Sequence, residues 1–293
     1  MNKIVILIIR LIIPLVILFL AFTWLGTTGG IILAVLYLLL MNLPVLFSTM
    51  GSQAYRKGDY DKAIRMLRTA LKMSPGSYSL RGSYAWLLLK LGKTEEAEAQ
   101  IDQAISDAEK EDEKNPLLVT KALVLWKKGE LDQAISLMEK VIVNYKNTNV
   151  YGTLGFLYIE KGDLDKALSF NLEAYDYNDT GPVILDNLGY TRLLRGEYEE
   201  ALEIYRQLIK LRPNFPEAFH NYARVLAHFG EMEQALYMCH TALTFRFWHT
   251  STVTREQVEN TLKELEEASG EKSAKSAKQE DPEETGGTES ADI

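Results

Sequence analysis

The sequence predicts an all-α protein: a transmembrane helical hairpin, then a solenoid of about six helix–turn–helix repeats, then a C-terminal capping helix. Three observations predict it. Residues 1–48 hold two long apolar runs whose only charges are Lys3 and Arg10. A motif that opens with glycine and closes with alanine five residues later returns six times at nearly equal spacing. Behind the last copy, one short amphipathic stretch is followed by a tail with no large apolar residue before Ile293.

The expected spans are about 4–25, "IVILIIRLIIPLVILFLAFTWL", and 29–47, "GGIILAVLYLLLMNLPVLF". In hydrocarbon every backbone N–H and C=O must be satisfied within the segment, so both runs are expected as helices. The Gly-Thr-Thr-Gly-Gly link between them is short enough to require an antiparallel hairpin. A cleaved signal peptide is the alternative for the first run, but its apolar core is too long and no small-x-small cleavage site follows. Arg10 lies close enough to the chain start to snorkel to the near interface. Pro14 is expected to kink the first span, Asn42 to hydrogen-bond across to it, and Pro44 to mark a bend near the exit of the second. Lys3 and Arg10 precede the hairpin, and Arg56, Lys57, Lys62, Arg65, Arg68 and Lys72 follow it. The positive-inside rule therefore puts both ends on the cytoplasmic side. The expected location is a cell membrane, a bacterial inner membrane being plausible, with everything after residue 50 cytosolic.

The six motifs begin at Gly58, Gly92, Gly129, Gly162, Gly196 and Gly230. Each glycine is expected to end one helix in the left-handed conformation. The acidic residues just behind it suit the start of the next helix, where the dipole favours negative charge. The closing alanine, Ala63, Ala97, Ala134, Ala167, Ala201 or Ala235, then faces a small residue seven positions before the glycine: Gly51, Ala85, Ala122, Gly155, Gly189 or Ala223. Small groups opposite each other let the two helices approach closely.

With these residues placed, the stretch 44–249 resembles the tetratricopeptide repeat family, whose unit is a 34-residue helix–turn–helix. The fourth copy carries the signature best, with Tyr151, Leu154, Gly155, Tyr158, Gly162, Ala167 and Ala174; the fifth adds Leu188, Gly189, Ala201 and Pro213. The resemblance implies a right-handed superhelical solenoid. Departures include Arg192 where an aromatic is usual, and Val141 and Leu208 where a late alanine is usual. In the second copy, the extra charged segment "SDAEKEDEKNP" is expected to extend the second helix or the loop behind it. The segment "TREQVENTLKELEEAS" supplies the polar cap a solenoid end requires, with Thr254 and Gln257 as a capping box and Val258, Leu262 and Leu265 as its apolar stripe. The cap is placed at 250–269, and residues 270–293 are expected to be disordered.

Composition excludes more than it names. The chain of 293 residues has 40 Asp and Glu against 32 Lys and Arg, for a formal charge of −8, with no long basic stripe, so nucleic acid is not expected as a partner. One cysteine, Cys239, cannot form an internal disulfide or a paired-cysteine zinc site, and its place in the repeat predicts an inert buried thiol. His220, His228, His240 and His249 lack metal-ligand spacing, and no phosphate-binding loop or catalytic constellation is present. No enzyme activity, catalytic residue, metal, cofactor or small-molecule substrate is expected.

What remains is a groove. Solenoids of this kind present a concave surface lined by the first helix of each pair. Nine residues before each motif glycine stands a small hydrogen-bonding side chain: Thr49, Ser83, Thr120, Thr153, Asn187 and Asn221. Neighbouring positions carry Trp86, Phe156, Tyr190 and Arg224, with Trp126 and His228 further along the same helices. Polar rungs beside aromatic pockets suit an extended peptide. The expected peptide-binding residues are Thr120, Thr153, Phe156, Asn187, Tyr190, Asn221 and Arg224. Asn187 and Asn221 are taken as exposed, so alanine there should weaken a partner without lowering the melting temperature. The lysine–asparagine–arginine clamp that family members use for acidic chaperone tails is not matched, since Ser48, Ser52, Gly152 and Phe156 stand among its places. The expected function is a membrane-anchored scaffold that holds a protein or extended peptide at the cytoplasmic face, with the bilayer contacted through two helices. The alternative is a regulatory or assembly subunit of a membrane complex that acts through its hairpin.

Overall fold

A computed structural model describes residues 12–279, and every regular element among them is a helix. The helices are α1 (Ile13–Trp24), α2 (Gly26–Arg56), α3 (Tyr60–Met73), α4 (Tyr78–Lys90), α5 (Thr94–Asp107), α6 (Glu111–Lys127) and α7 (Leu131–Asn144). They continue as α8 (Thr148–Lys161), α9 (Leu164–Tyr177), α10 (Pro182–Leu194), α11 (Tyr198–Lys210), α12 (Pro216–His228), α13 (Met232–Thr244) and α14 (Arg255–Gln279). They divide into two compact units, residues 1–88 with 95–117 and residues 89–94 with 118–293.

In the first unit α1 and the part of α2 up to Phe47 are mostly apolar and largely exposed. The reversal between them is tighter than the five-residue link predicted. Only Leu25 separates the helices, Gly26 takes φ +69°, and Thr27 onward is already helical. The phenyl ring of Phe22 then lies so close to Gly30 that a Cβ there would sit 2.4 Å from it. Of the described helices, α2 alone is long and apolar enough to cross a membrane; the apolar stretch Leu15–Trp24 is shorter. The expected first span begins at residue 4, and residues 1–11, with Arg10, lie outside the described part. One local expectation is corrected. Asn42 donates from Nδ2 to the Leu38 carbonyl of its own helix at 2.7 Å and does not reach across to α1. Helix α2 runs through Pro44 and continues directly as the first helix of the first repeat, which the 44–249 repeat boundary implied.

The repeat logic is visible at atomic level. All six motif glycines are left-handed, with φ between 76° and 81°. All six closing alanines are fully buried. At Gly189 the approach is close enough that a Cβ would meet the Tyr205 ring at 2.9 Å. The acidic residues behind the glycines separate by length. Asp59 and Asp163 cap their helices, accepting the backbone N–H of Lys62 at 3.0 Å and of Lys166 at 3.1 Å. Glu130, Glu197 and Glu231 hold the same place without a side-chain cap.

In the second unit each helix packs on the next from α7 to α14, and the first helices also touch one another in the rows α8–α10, α10–α12 and α12–α14. The core at its C-terminal end joins Leu185, Tyr205, Leu208, Phe219, Leu226 and Cys239 to Val258 and Leu265 of α14. Thr254 and Gln257 make the expected capping box: Oγ1 of Thr254 accepts from the Gln257 N–H at 3.1 Å, and Oε1 of Gln257 accepts from the Thr254 N–H at 2.7 Å. The helix does not stop at 269, however, but continues to Gln279. The charged segment after α5 also differs from expectation. It lengthens neither α5 nor the loop; it starts α6 about one turn early for a helix of 17 residues, and Glu113 Oε2 accepts the N–H groups of Glu109 and Lys110 at 3.0 and 3.2 Å.

Candidate functional site

Helices α10 and α12 begin with Pro182 and Pro216, whose fixed φ suits a first turn. Counting from these starts, Asn187 and Asn221 are both the sixth helical residue. Thr153 is sixth in α8, and Asn260 is sixth in α14. The row of hydrogen-bonding side chains therefore runs on into the capping helix.

Its C-terminal end opens into a pocket of about 370 Å³ lined by Tyr190, His220, Asn221, Arg224, Asn260 and Glu264, with Thr252, Val253, Gln257 and Thr261 completing the wall. The lining is mostly polar. The Arg224 guanidinium lies over the Tyr190 ring, 5.9 Å from its centroid. Among the described residues no carboxylate lies within ion-pair distance of Arg224. His220 is buried, its Nε2 lies 3.0 Å from Thr261 Oγ1, and its Nδ1 has no hydrogen-bond partner among the described residues. Burial, helped by the Arg224 charge, pushes its imidazole down to about 4, so the ring is neutral at pH 7.

Two acids lie behind this wall. Asp186 is buried beneath Asn221, whose Nδ2 donates to Oδ1 at 3.4 Å, and the Tyr205 hydroxyl donates to the same oxygen at 3.2 Å. Desolvation, with the charge of Glu217 added, lifts the Asp186 carboxyl to about 7 despite those two hydrogen bonds. Glu217 Oε1 accepts the Thr252 N–H at 2.9 Å and so ties the connection before α14 to α12.

Profiles described as "tetratricopeptide repeat" match residues 54–114 and 116–142, and one described as "TPR repeat" matches 189–228. A crystal structure of a tetratricopeptide repeat protein from Parabacteroides merdae superposes with a TM-score of 0.62 at 15% identity, covering 76% of this chain and 84% of that one. The fold is a tetratricopeptide repeat solenoid. Two curated relatives are similar in sequence. Protein O-mannosyl-transferase TMTC1 of Homo sapiens is 28% identical over 174 residues, covering 58% of this chain and 19% of the relative. Hsp70-Hsp90 organizing protein 2 of Arabidopsis thaliana is 24% identical over 205 residues, covering 64% and 33%. The chain thus spans about a third or less of the length of these relatives.

Within this tetratricopeptide repeat solenoid the seven expected residues separate into four groups. Tyr190, Asn221 and Arg224 meet at the pocket. Phe156 stands edge-on to Trp126 with centroids 4.6 Å apart, and the Trp126 indole N–H donates to Glu160 at 3.0 Å. Thr120 and Thr153 are half-buried on α6 and α8 and do not line the pocket. Asn187 and Asn221, taken from the sequence as exposed, are buried instead, only 6% and 5% accessible. Asn187 Nδ2 donates to the Gly152 carbonyl on the preceding first helix at 2.8 Å. Each asparagine is a tie between successive repeats, because a buried amide must find its partners inside the protein. His228, expected further along the groove, stacks instead on Tyr198 at 3.5 Å. Cys239 is fully buried and its thiol is pushed up to about 11, as an inert packing residue should be.

The sequence reading missed Asp186, Glu217 and the α14 side of the pocket. Asn260 could have been found by counting from helix starts rather than from motif glycines, since the connection before α14 is six residues longer than that before α10 and five longer than that before α12.

Proposed function

We propose that this chain is a membrane-anchored scaffold that holds a protein segment in the groove of its second unit. Tetratricopeptide repeat proteins bind proteins or peptides, and the observation that carries the reading here is the pocket under Arg224. It offers one unpaired guanidinium, an aromatic face at Tyr190 and a rim of amides and hydroxyls at Asn221, Gln257, Asn260 and Thr261. Such a set recognises an extended backbone together with an acidic or amide side chain. The Arabidopsis relative is named an organizer of Hsp70 and Hsp90; the clamp places that hold lysine and asparagine in chaperone-tail receptors are Ser48, Ser52, Gly152 and Phe156 here, which favours a different ligand.

Anchoring through α2, with the repeats on the cytoplasmic side, is supported by its apolar length and by the basic residues that follow it. The test is photocrosslinking of the full chain in membranes with a photoreactive residue at Tyr190. Capture of one dominant protein that disappears with Arg224→Ala supports the groove. Equal capture in both backgrounds, or none, rules it out.

A further inference from the structure

Helix α3 carries a basic face that the fold of the repeats does not use. Lys62, Arg65 and Lys72 are exposed on the side opposite Ala63, Leu67 and Ala70, which pack inward. None of the three has an ion-pair partner among the described residues, and neither do Arg56 and Lys57 just before them. Arg68 lies on the flank of this face and is already engaged, donating to the Tyr84 hydroxyl at 3.2 Å with Glu96 4.0 Å away. Two acids stand close in sequence: Asp59, which is used as a helix cap, and exposed Asp61, one turn before Arg65. The face is thus unevenly charged, with Lys62, Arg65 and Lys72 against Asp61.

Its position gives the charge a direction. The Tyr55 and Tyr60 rings lie 5.7 Å apart at the turn, and a Cβ on Gly51 would touch Leu67 at 3.0 Å. Helix α3 therefore runs back along α2, and the same register brings Lys72 and Met73 level with Pro44. The apolar run of α2 ends at Phe47. At 1.5 Å per residue, Lys72 lies about 4–5 Å on the apolar side of that end, and Arg65 about 6 Å on the polar side. Lys72 can snorkel outward over such a distance, and all three cations then fall within about one Debye length of the headgroup plane. Met73, exposed at the last residue of α3, faces the same boundary with an apolar side chain.

We propose that the face formed by Lys62, Arg65 and Lys72 binds the phosphates of anionic lipid headgroups in the leaflet from which α2 emerges. The inference rests on the reading of α2 as a membrane span and adds to it a partner and a surface. The first repeat is thereby held against the bilayer by electrostatics as well as by its anchor.

The full chain, reconstituted in phosphatidylcholine vesicles containing phosphatidylglycerol, tests this. A fluorophore is attached at Met73→Cys; buried Cys239 stays unlabelled. Quenching is compared for phosphatidylglycerol and phosphatidylcholine carrying the same headgroup quencher at equal fraction. The expected result is about twofold stronger quenching by the anionic lipid. The preference should vanish at roughly 1 M salt and in the triple variant Lys62→Gln, Arg65→Gln, Lys72→Gln. It should persist in Lys62→Arg, Arg65→Lys, Lys72→Arg. A ratio of one in the native chain that resists alkaline extraction overturns the inference and leaves the anchor standing. A ratio unchanged by the glutamine variant overturns the assignment to α3. Release of the native chain by alkaline extraction overturns the anchor and this inference together.

Discussion

Asp186 and His220 face the same wall from neighbouring first helices, and burial drives each toward its neutral form. Their effects on stability have opposite signs. An unfolded aspartate titrates near 3.9, whereas folded Asp186 does so at about 7. The native state holds the extra proton in that window, so stability falls as pH rises from about 4 to about 7. An unfolded histidine titrates near 6.5, whereas folded His220 does so at about 4. There the unfolded state holds the extra proton, so stability is full above about 6.5 and falls as pH drops toward 4. Over the shared window the slopes nearly cancel. Asp186→Asn should expose the His220 slope alone, raising stability by an amount of the order of a few kcal/mol at about pH 8 and by much less at about pH 4; denaturant midpoints at the two pH values measure it. Asn187 carries a second prediction at this scale. Removing its amide deletes a buried hydrogen bond between successive first helices, at about 0.5–1.5 kcal/mol, the Gly152 carbonyl keeping its own helical bond. The melting temperature of Asn187→Ala should therefore drop by several degrees, at about 2–4 °C per kcal/mol. That outcome reverses what the sequence implied, because a polar residue at a lining position reads as exposed until the depth of its helix contacts is known.

Between one helix and the next, aspartate and glutamate behind the turn glycine look alike in the sequence and differ in the fold. The aspartate oxygen reaches the N–H three residues on, and the longer glutamate does not cap. Asp163→Ala should cost about 0.5–2 kcal/mol through the lost cap. Glu130→Ala should lose only a surface ion pair with Lys128, worth about 0–1 kcal/mol. Urea midpoints of the two variants decide it. The turn glycines, the facing small residues and the capping box were legible because each depends on a local backbone conformation or one close contact. The start of α6 was not legible. "SDAEKEDEKNP" is equally polar as helix or loop, and Pro116 reads as a breaker although it lies inside the helix, in its second turn. The C-terminal half of the pocket was hidden by the longer connection before α14, which moves Asn260 out of the 34-residue register.

For the molecule as a whole, the solenoid was legible from the period alone, while the N-terminal segment was legible as apolar but not in its detail. Hydropathy sees two runs, and the repeat register starts the first repeat helix at Pro44, inside the second; the turn at Leu25–Gly26 depends on backbone geometry that composition does not encode. In the second unit each helix leans on the next, so damage at the end should spread by nearest-neighbour coupling. Leu265→Ala, which opens a cavity beside Val258 in the terminal core, should cost about 2–5 kcal/mol. Hydrogen exchange should then speed up first in α14 and α13, then in α12, with α8 least affected.

Helix α2 has one further consequence. Its 31 residues form a shaft about 47 Å long at 1.5 Å per residue, without a break between the apolar half and the half that packs on α3. A flexible tether would let the first repeat swivel freely. A continuous helix acts as a lever, with Pro44, which has no N–H for the Leu40 carbonyl, as its softest point: in a bilayer, a change of thickness that altered the tilt of its apolar half would swing α3 with it, converting lipid mechanics into the aim of the repeat it carries.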